Sequence, residues 1–137
     1  LGHVIRVEGC DLGDNEGEAV LNFRAGNFGQ SSLRDVAADK QAGSICVPVR
    51  RLAPYLAGAD GYDVSLIKID VEGFEDAVFN PWLDGAGAVD MPDAILMETE
   101  HAKDWDTDLV GRVKAMGYGA RFEGEGNTLF VRDAGRL

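Results

Sequence analysis

Residues Ser65 to Asp76 read SLIKIDVEGFED, and the reading of this stretch decides the fold. Leu66, Ile67 and Ile69 form a short, nearly continuous apolar run, which suits a strand buried on both faces better than a strand with one wet face. A central strand is expected here. The run stops at Asp70, Glu72, Gly73 and Glu75, so carboxylates gather where an apolar strand gives way to a turn and a helical segment. In open α/β sheets, ligands bind just beyond the carboxyl ends of such strands. Phe74, Val78 and Phe79 then offer one apolar face of a short helix, which Asn80 and Pro81 are expected to end.

Toward the N-terminus, Leu52, Tyr55 and Leu56 make the apolar face of a short helix, closed by Gly58 and the Asp60, Gly61 turn. Ile45, Cys46, Val47 and Val49 read as a strand, and Pro48 within it points to a sheet edge or to one unpaired side. Residues 36–44 are polar and read as loop. So does Ala25 to Leu33, AGNFGQSSL, whose glycines allow close backbone approach but lack the spacing and lysine of a phosphate-binding loop. Ala19, Val20, Leu21 and Phe23 supply a strand, preceded by the turn formers Gly13, Asp14, Asn15 and Gly17. Val4, Ile5 and Val7 read as a further strand, with Cys10, Asp11 and Leu12 at its tip.

Toward the C-terminus, Ala94 to Met97 make a second short apolar run that also ends in charge, at Glu98, Glu100 and His101. Thr107 is placed to cap a helix carrying Leu109, Val110, Val113 and Met116, with Gly117 as its stop. Tyr118, Ala120 and Phe122 alternate as a strand, and a hairpin-like link at Glu123 to Asn127 leads to a returning strand at Thr128 to Arg132. Two apolar strands separated by helical material imply a parallel pair, followed by a closing antiparallel pair. The expected fold is α/β, three-layered, with a mixed but mostly parallel sheet.

At 137 residues the chain is one domain's length, and 45% hydrophobic content is enough for a real core. A formal charge of −11 argues against nucleic acid or an anionic membrane as partner, since both would be repelled. Cys10 and Cys46 show neither a disulfide framework nor zinc-ligand spacing, which makes a reducing cytoplasm the default setting. No apolar run approaches a membrane span. The chain opens with Leu1 directly on an apolar strand pattern, which suggests a segment of a longer protein.

The run LIKIDVEGFE resembles the signature of the FkbM-type methyltransferases, an apolar strand running into Ile-Asp-x-Glu-Gly-x-Glu. Ile69, Asp70, Glu72, Gly73 and Glu75 match it. Further features fall in the family's order: CDLGD after the first strand, the Gly-containing strand Gly17 to Phe23, the loop Gly29 to Leu33, VPVRRL at Val47 to Leu52, ILMETEH at Ile95 to His101, and a closing antiparallel pair. The resemblance implies a Rossmann-like class I methyltransferase fold and S-adenosylmethionine as cofactor. It also implies a hydroxyl of a sugar or small natural product as acceptor. The sequence departs from the family in two places. Ala53 stands where the family usually has Asp, and neither the glycine-rich cofactor loop nor the ribose-binding acidic residue has a counterpart. GEGN at Gly124 to Asn127 joins two strands and opens no helix, so it is not that loop. Matched to the family, residues 1–137 are a single partial methyltransferase domain that starts at about the third strand.

Methyl transfer asks a protein to align a nucleophile and help remove its proton. On the resemblance, Asp70 contacts substrate or the cofactor's sulfonium; alternatively it caps the next helix. Glu72 and Glu75 lie three apart and could share a side of a helical turn, where paired carboxylates hold a metal or shift each other's pKa. For Glu75 the leading reading is satisfaction of backbone amides at the helix start. Glu98 and His101 end the neighbouring strand and could face Asp70, and a histidine is a fitting general base near neutral pH. The plainer reading of His101 is a surface residue. By resemblance, Asp11, with Cys10 and Leu12 beside it, meets the cofactor's adenine amino group; alternatively Asp11 opens the turn to Gly17. The candidate catalytic residues are therefore Asp70, Glu72, Glu98 and His101, and the candidate cofactor residues are Cys10, Asp11, Leu12 and Asp70. No metal is expected. Two other functions compete: a noncatalytic interaction domain, suggested by the absent glycine loop and Ala53, and a carboxylate–metal hydrolase using Asp70, Glu72, Glu98 and His101.

Overall fold

The computed structural model describes residues 5–24, 27–32, 41–57, 64–85 and 91–133. The chain divides into two compact units, Leu1–Arg50 and Arg51–Leu137.

The first unit is a sheet of four strands, β1 (Asp11–Leu12), β2 (Gly17–Arg24), β3 (Asn27–Ser32) and β4 (Gln41–Arg50), in the order β1-β4-β2-β3. β4 pairs antiparallel with β2 from Gly17 opposite Val49 to Arg24 opposite Gln41, and β2 pairs antiparallel with β3. β1 runs parallel to β4 at only two positions, Val49 and Arg50. Pro48, paired with Glu18 on the β2 side, therefore lies just beyond the β1 pairing, as its missing N–H requires. The expected strand at Val4 to Val7 is not formed. Val4 lies outside the described residues, and residues 5–10 have no regular structure, with Ile5 69% and Val7 85% exposed. Alternation alone does not make a strand where no partner strand pairs with it. The loop expected at Ala25 to Leu33 is corrected too. Asn27–Ser32 is a strand, because pairing with β2 overrides its glycine and polar content; Ala25, Gly26 and Leu33 lie outside the described residues. The expected loop at 36–44 falls partly outside them, and its last residues, 41–44, belong to β4.

The second unit carries α1 (Ala53–Leu56), β5 (Leu66–Ile69), α2 (Glu75–Gly85), β6 (Ala94–Glu98), α3 (Leu109–Ala115), β7 (Tyr118–Gly124) and β8 (Asn127–Arg132). Its sheet has the order β5-β6-β8-β7. β5 and β6 are parallel, joined through α2 as expected, whereas β6–β8 and β8–β7 are antiparallel. Both sheets are thus mixed and largely antiparallel, and one mostly parallel sheet is not what forms.

Among the described residues β5 pairs with β6 alone and so lies at an edge of the sheet rather than in its centre. It alternates: Ile67 and Ile69 are buried, while Leu66 is 55% exposed and Lys68 points to solvent. The buried face continues through Ile95 and Met97 of β6 and Thr128 and Phe130 of β8. With Val78, Phe79, Trp82 and Leu83 of α2 and Leu109 and Val113 of α3, these residues make the core. Phe79 and Trp82 meet edge to face at 5.3 Å. α2 does not stop at Pro81 but runs through it to Gly85. The bond that Pro81 cannot donate is outweighed by burial of Trp82 and Leu83, worth about 1.5–3 kcal/mol per large apolar side chain.

Asp108, not Thr107, caps α3, its Oδ1 accepting from the Gly111 N–H at 2.8 Å. A Cβ at Gly111 would lie 2.2 Å from Asp108 Oδ2, so the glycine makes room for the cap. Thr107 instead accepts a hydrogen bond from Asn80 at 2.9 Å, and Arg112 donates to Asn80 at 2.6 Å and pairs with Asp84, which stitches α3 to α2. Gly117 ends the helix at φ 92°, as expected. The β7–β8 turn has positive φ at both Glu125 (51°) and Gly126 (76°), the hand that suits the twist of a two-residue hairpin.

Candidate active site at the ends of β5 and β6

β5 and β6 run parallel, so their carboxyl ends release two loops on the same side of the sheet. The first, after Ile69, turns tightly at Glu72 (φ 53°) and Gly73 (φ 94°), closed by a bond from the Phe74 N–H to the Val71 carbonyl at 3.3 Å. A left-handed glutamate is uncommon, and here it sets the tight turn that takes Glu72 away from β5 into the loop. The second loop, after Glu98, carries His101 into a single 3₁₀ turn at Ala102–Asp104. Its start is held by the hairpin, because the Thr99 and Glu100 N–H groups both donate to the Gly126 carbonyl, at 2.7 and 3.1 Å.

This brings Glu72, Glu98 and His101 together, with one ligand-capable atom from each lying within 4.8 Å of the others. His101 Nε2 is 3.9 Å from Glu72 Oε2, and Nδ1 is 3.8 Å from Asp104 Oδ2. Both separations exceed hydrogen-bond length, so the ring lies between two carboxylates without a hydrogen bond to either. Glu98 Oε2 is buried and has no hydrogen-bond partner. Burial, then the negative charges of Asp70, Glu72 and Glu75, hold the Glu98 carboxyl above its ordinary value, against the opposing influence of His101.

Asp70 acts on this group through its charge but makes its contact elsewhere, accepting from Lys68 Nζ at 2.8 Å on the exposed edge of β5. It caps no helix, since α2 begins at Glu75. Glu75 is fully buried and accepts from the backbone N–H groups of Val71 and Gly73 at 3.0 and 3.3 Å, the amide-satisfying role expected of it. Its second oxygen accepts from Trp105 Nε1 at 2.9 Å. Asp104 and Trp105 went unmarked in the sequence. For Asp104 the available signal was the three-residue spacing from His101, which one turn of 3₁₀ helix brings onto the same side.

Cys10, Asp11 and Leu12 belong to the first unit, where Asp11 and Leu12 form β1 and Asp11 Oδ1 accepts from the Leu12 N–H at 2.9 Å. Among the described residues no helix is long and apolar enough to cross a membrane.

A parallel β-α-β crossover with acidic loops at its carboxyl ends is the arrangement beside which open α/β sheets bind ligands. The family model of the FkbM methyltransferase domain matches residues 3–118, and the chain belongs to that family. The match ends at the first residue of β7. No curated protein and no solved structure gives a significant match.

Proposed function

We propose that this domain serves S-adenosylmethionine-dependent methylation of a hydroxyl on a sugar or small natural product, with Glu72, Glu98 and His101 as its acceptor-side machinery. The observation that carries this reading is the meeting of those three side chains at the ends of β5 and β6, around a buried Glu98 oxygen that has no donor. The cofactor, when bound, supplies an electrophilic methyl group on a cationic sulfonium. An acidic strand tip with an unsatisfied carboxylate oxygen suits such a cation, with Asp70 adding negative charge nearby. Cys10, Asp11 and Leu12 are assigned to the adenine on the family resemblance alone.

His101 is the proton acceptor for the hydroxyl. The 3.9 Å between its Nε2 and Glu72 Oε2 leaves a place where a hydroxyl oxygen can reach both, and Glu72 and Asp104 stabilise the imidazolium once the proton has moved. A cytoplasmic setting belongs to the same proposal. Titrating the full-length protein with S-adenosylmethionine, then following label transfer to hydroxyl acceptors, tests it. Saturable binding and transfer are expected, with His101→Asn lowering turnover by about a hundredfold or more. No binding would replace this reading by the noncatalytic domain. The compactness of the Glu72, Glu98 and His101 group also favours a second reading, a carboxylate–metal hydrolase, which saturable binding of a divalent cation without S-adenosylmethionine binding would establish.

A further inference from the structure

We infer that Glu75 is a positioning residue that sets the spacing between Glu72 and His101 by tying together the two loops that carry them; this rests on the reading of the cluster given above. One oxygen, Oε1, accepts from Val71 N and Gly73 N, the amides on either side of Glu72. The other, Oε2, accepts from the indole of Trp105, four residues beyond His101. One carboxylate thus grips both loops across 30 residues of chain. The next residue repeats the link: Asp76 Oδ2 accepts from the Asp106 N–H at 2.8 Å, while Oδ1 accepts from the Ala77 N–H at 2.9 Å.

Both carboxylates are out of solvent, Glu75 at 0% and Asp76 at 7% exposure, so neither is there for solubility. A buried carboxylate is costly unless its lone pairs are filled, and here they are filled by donors from two separate loops. An amide at position 75 has a single acceptor oxygen and cannot accept at both ends. The His101 loop is therefore held at both ends, by Gly126 at its start and by Glu75 and Asp76 beyond the 3₁₀ turn. Loss of the Glu75 link leaves the Asp76–Asp106 bond as the tie at the second end, one residue further from His101, and lets the imidazole drift from Glu72. A misplacement of about 1 Å costs up to about a hundredfold in rate.

The test uses Trp105→Phe, which keeps an aromatic ring while removing the N–H donor together with the indole's second ring, alongside Glu75→Gln. Proton exchange at the Val71 and Gly73 amides, magnetisation transfer between the His101 ring and the Glu72 side chain, melting temperature and methyl-transfer kinetics are measured. Trp105→Phe is expected to keep Val71 and Gly73 protected and to lose the His101–Glu72 contact. Its kcat is expected to fall by up to about a hundredfold with KM little changed. Glu75→Gln is expected to lose protection or the contact as well; if it fails to fold, Trp105→Phe decides alone. A Trp105→Phe protein that melts lower yet keeps both the contact and kcat overturns the inference, because Glu75 would then support only the fold. Should the wild-type protein transfer no methyl group, the functional reading fails, and the His101–Glu72 contact alone decides the positioning role.

Discussion

Glu98 lies under several opposing influences at the strand tips. Its carboxyl is held above its ordinary value by burial first and by Asp70, Glu72 and Glu75 next. Between the ordinary carboxylate range and its raised value, the folded protein therefore binds more protons than the unfolded chain, so stability falls as pH rises through that window. Glu98→Gln removes the titration. Urea denaturation across the acid range is expected to show a flatter pH profile for the variant and higher stability than wild type above the window; an unchanged profile would mean that Glu98 pays no such penalty. Asp70 plays a different part, because it is exposed, paired with Lys68 and acts on the cluster only through its charge. Asp70→Asn is expected to cut turnover by about tenfold or more while weakening cofactor binding much less, the pattern of an interaction made in the transition state. Equal turnover in steady-state assays would remove Asp70 from the mechanism.

At the scale of elements, the β7–β8 hairpin is both the end of the sheet and a support of the site. Gly126 adopts φ 76°, its carbonyl receives two N–H groups of the His101 loop, and a Cβ there would meet Glu100 Oε2 at 2.9 Å and its Cβ at 3.2 Å. Gly126→Ala is expected to lower stability by about 1 kcal/mol or more, measured by denaturant midpoint, and to loosen protection of the Thr99 and Glu100 amides in hydrogen exchange. The other end of β7 is anchored by Tyr118, buried, whose hydroxyl donates to the Pro92 carbonyl at 2.5 Å. Burial, then Asp93, against the pull of Arg132, push the Tyr118 phenol from 10 up to about 12. The folded protein holds that proton longer than the unfolded chain, so stability is expected to decline as pH rises from about 10 through about 12. Tyr118→Phe should abolish this alkaline loss and cost about 1–2 kcal/mol at neutral pH through the stranded carbonyl.

For the whole molecule, the second unit's sheet ends in two edge strands among the described residues, β5 and β7. β5 has a neighbour on one side only, and Leu66 on it and Phe122 on β7 are 55% and 59% exposed. Such edges recruit other strands, and the main guard here is brevity together with Lys68, itself partnered by Asp70. The 137-residue chain is expected to self-associate at micromolar concentration in sedimentation velocity, and Lys68→Val to associate more strongly. A monomer whose sedimentation is unchanged by Lys68→Val would show that this edge is covered. The absence of a glycine-rich loop in the sequence leads to a companion expectation, that these 137 residues alone bind S-adenosylmethionine weakly or not at all.

The sequence by itself determined the family, the parallel β5–α2–β6 crossover and the concentration of charge at its strand ends. These features are local: an apolar run, a turn glycine and a following helical face lie within about 30 residues of one another. The closing hairpin and the helix stop at Gly117 were legible for the same reason, since each depends on backbone freedom at one or two positions. Only the tertiary structure decided whether an apolar run is central or at an edge, because LIKI reads alike in both and only the neighbours of β5 settle its burial. It likewise decided that Asn27–Ser32 is a strand, through pairing with β2, and that α2 passes Pro81, through burial of Trp82 and Leu83. The site divides the same way. Glu72, Glu98, His101 and the amide-satisfying role of Glu75 could be named from residue type and place in the chain, whereas the Glu75–Trp105 link forms only once two loops, 30 residues apart, are brought to the same end of the sheet.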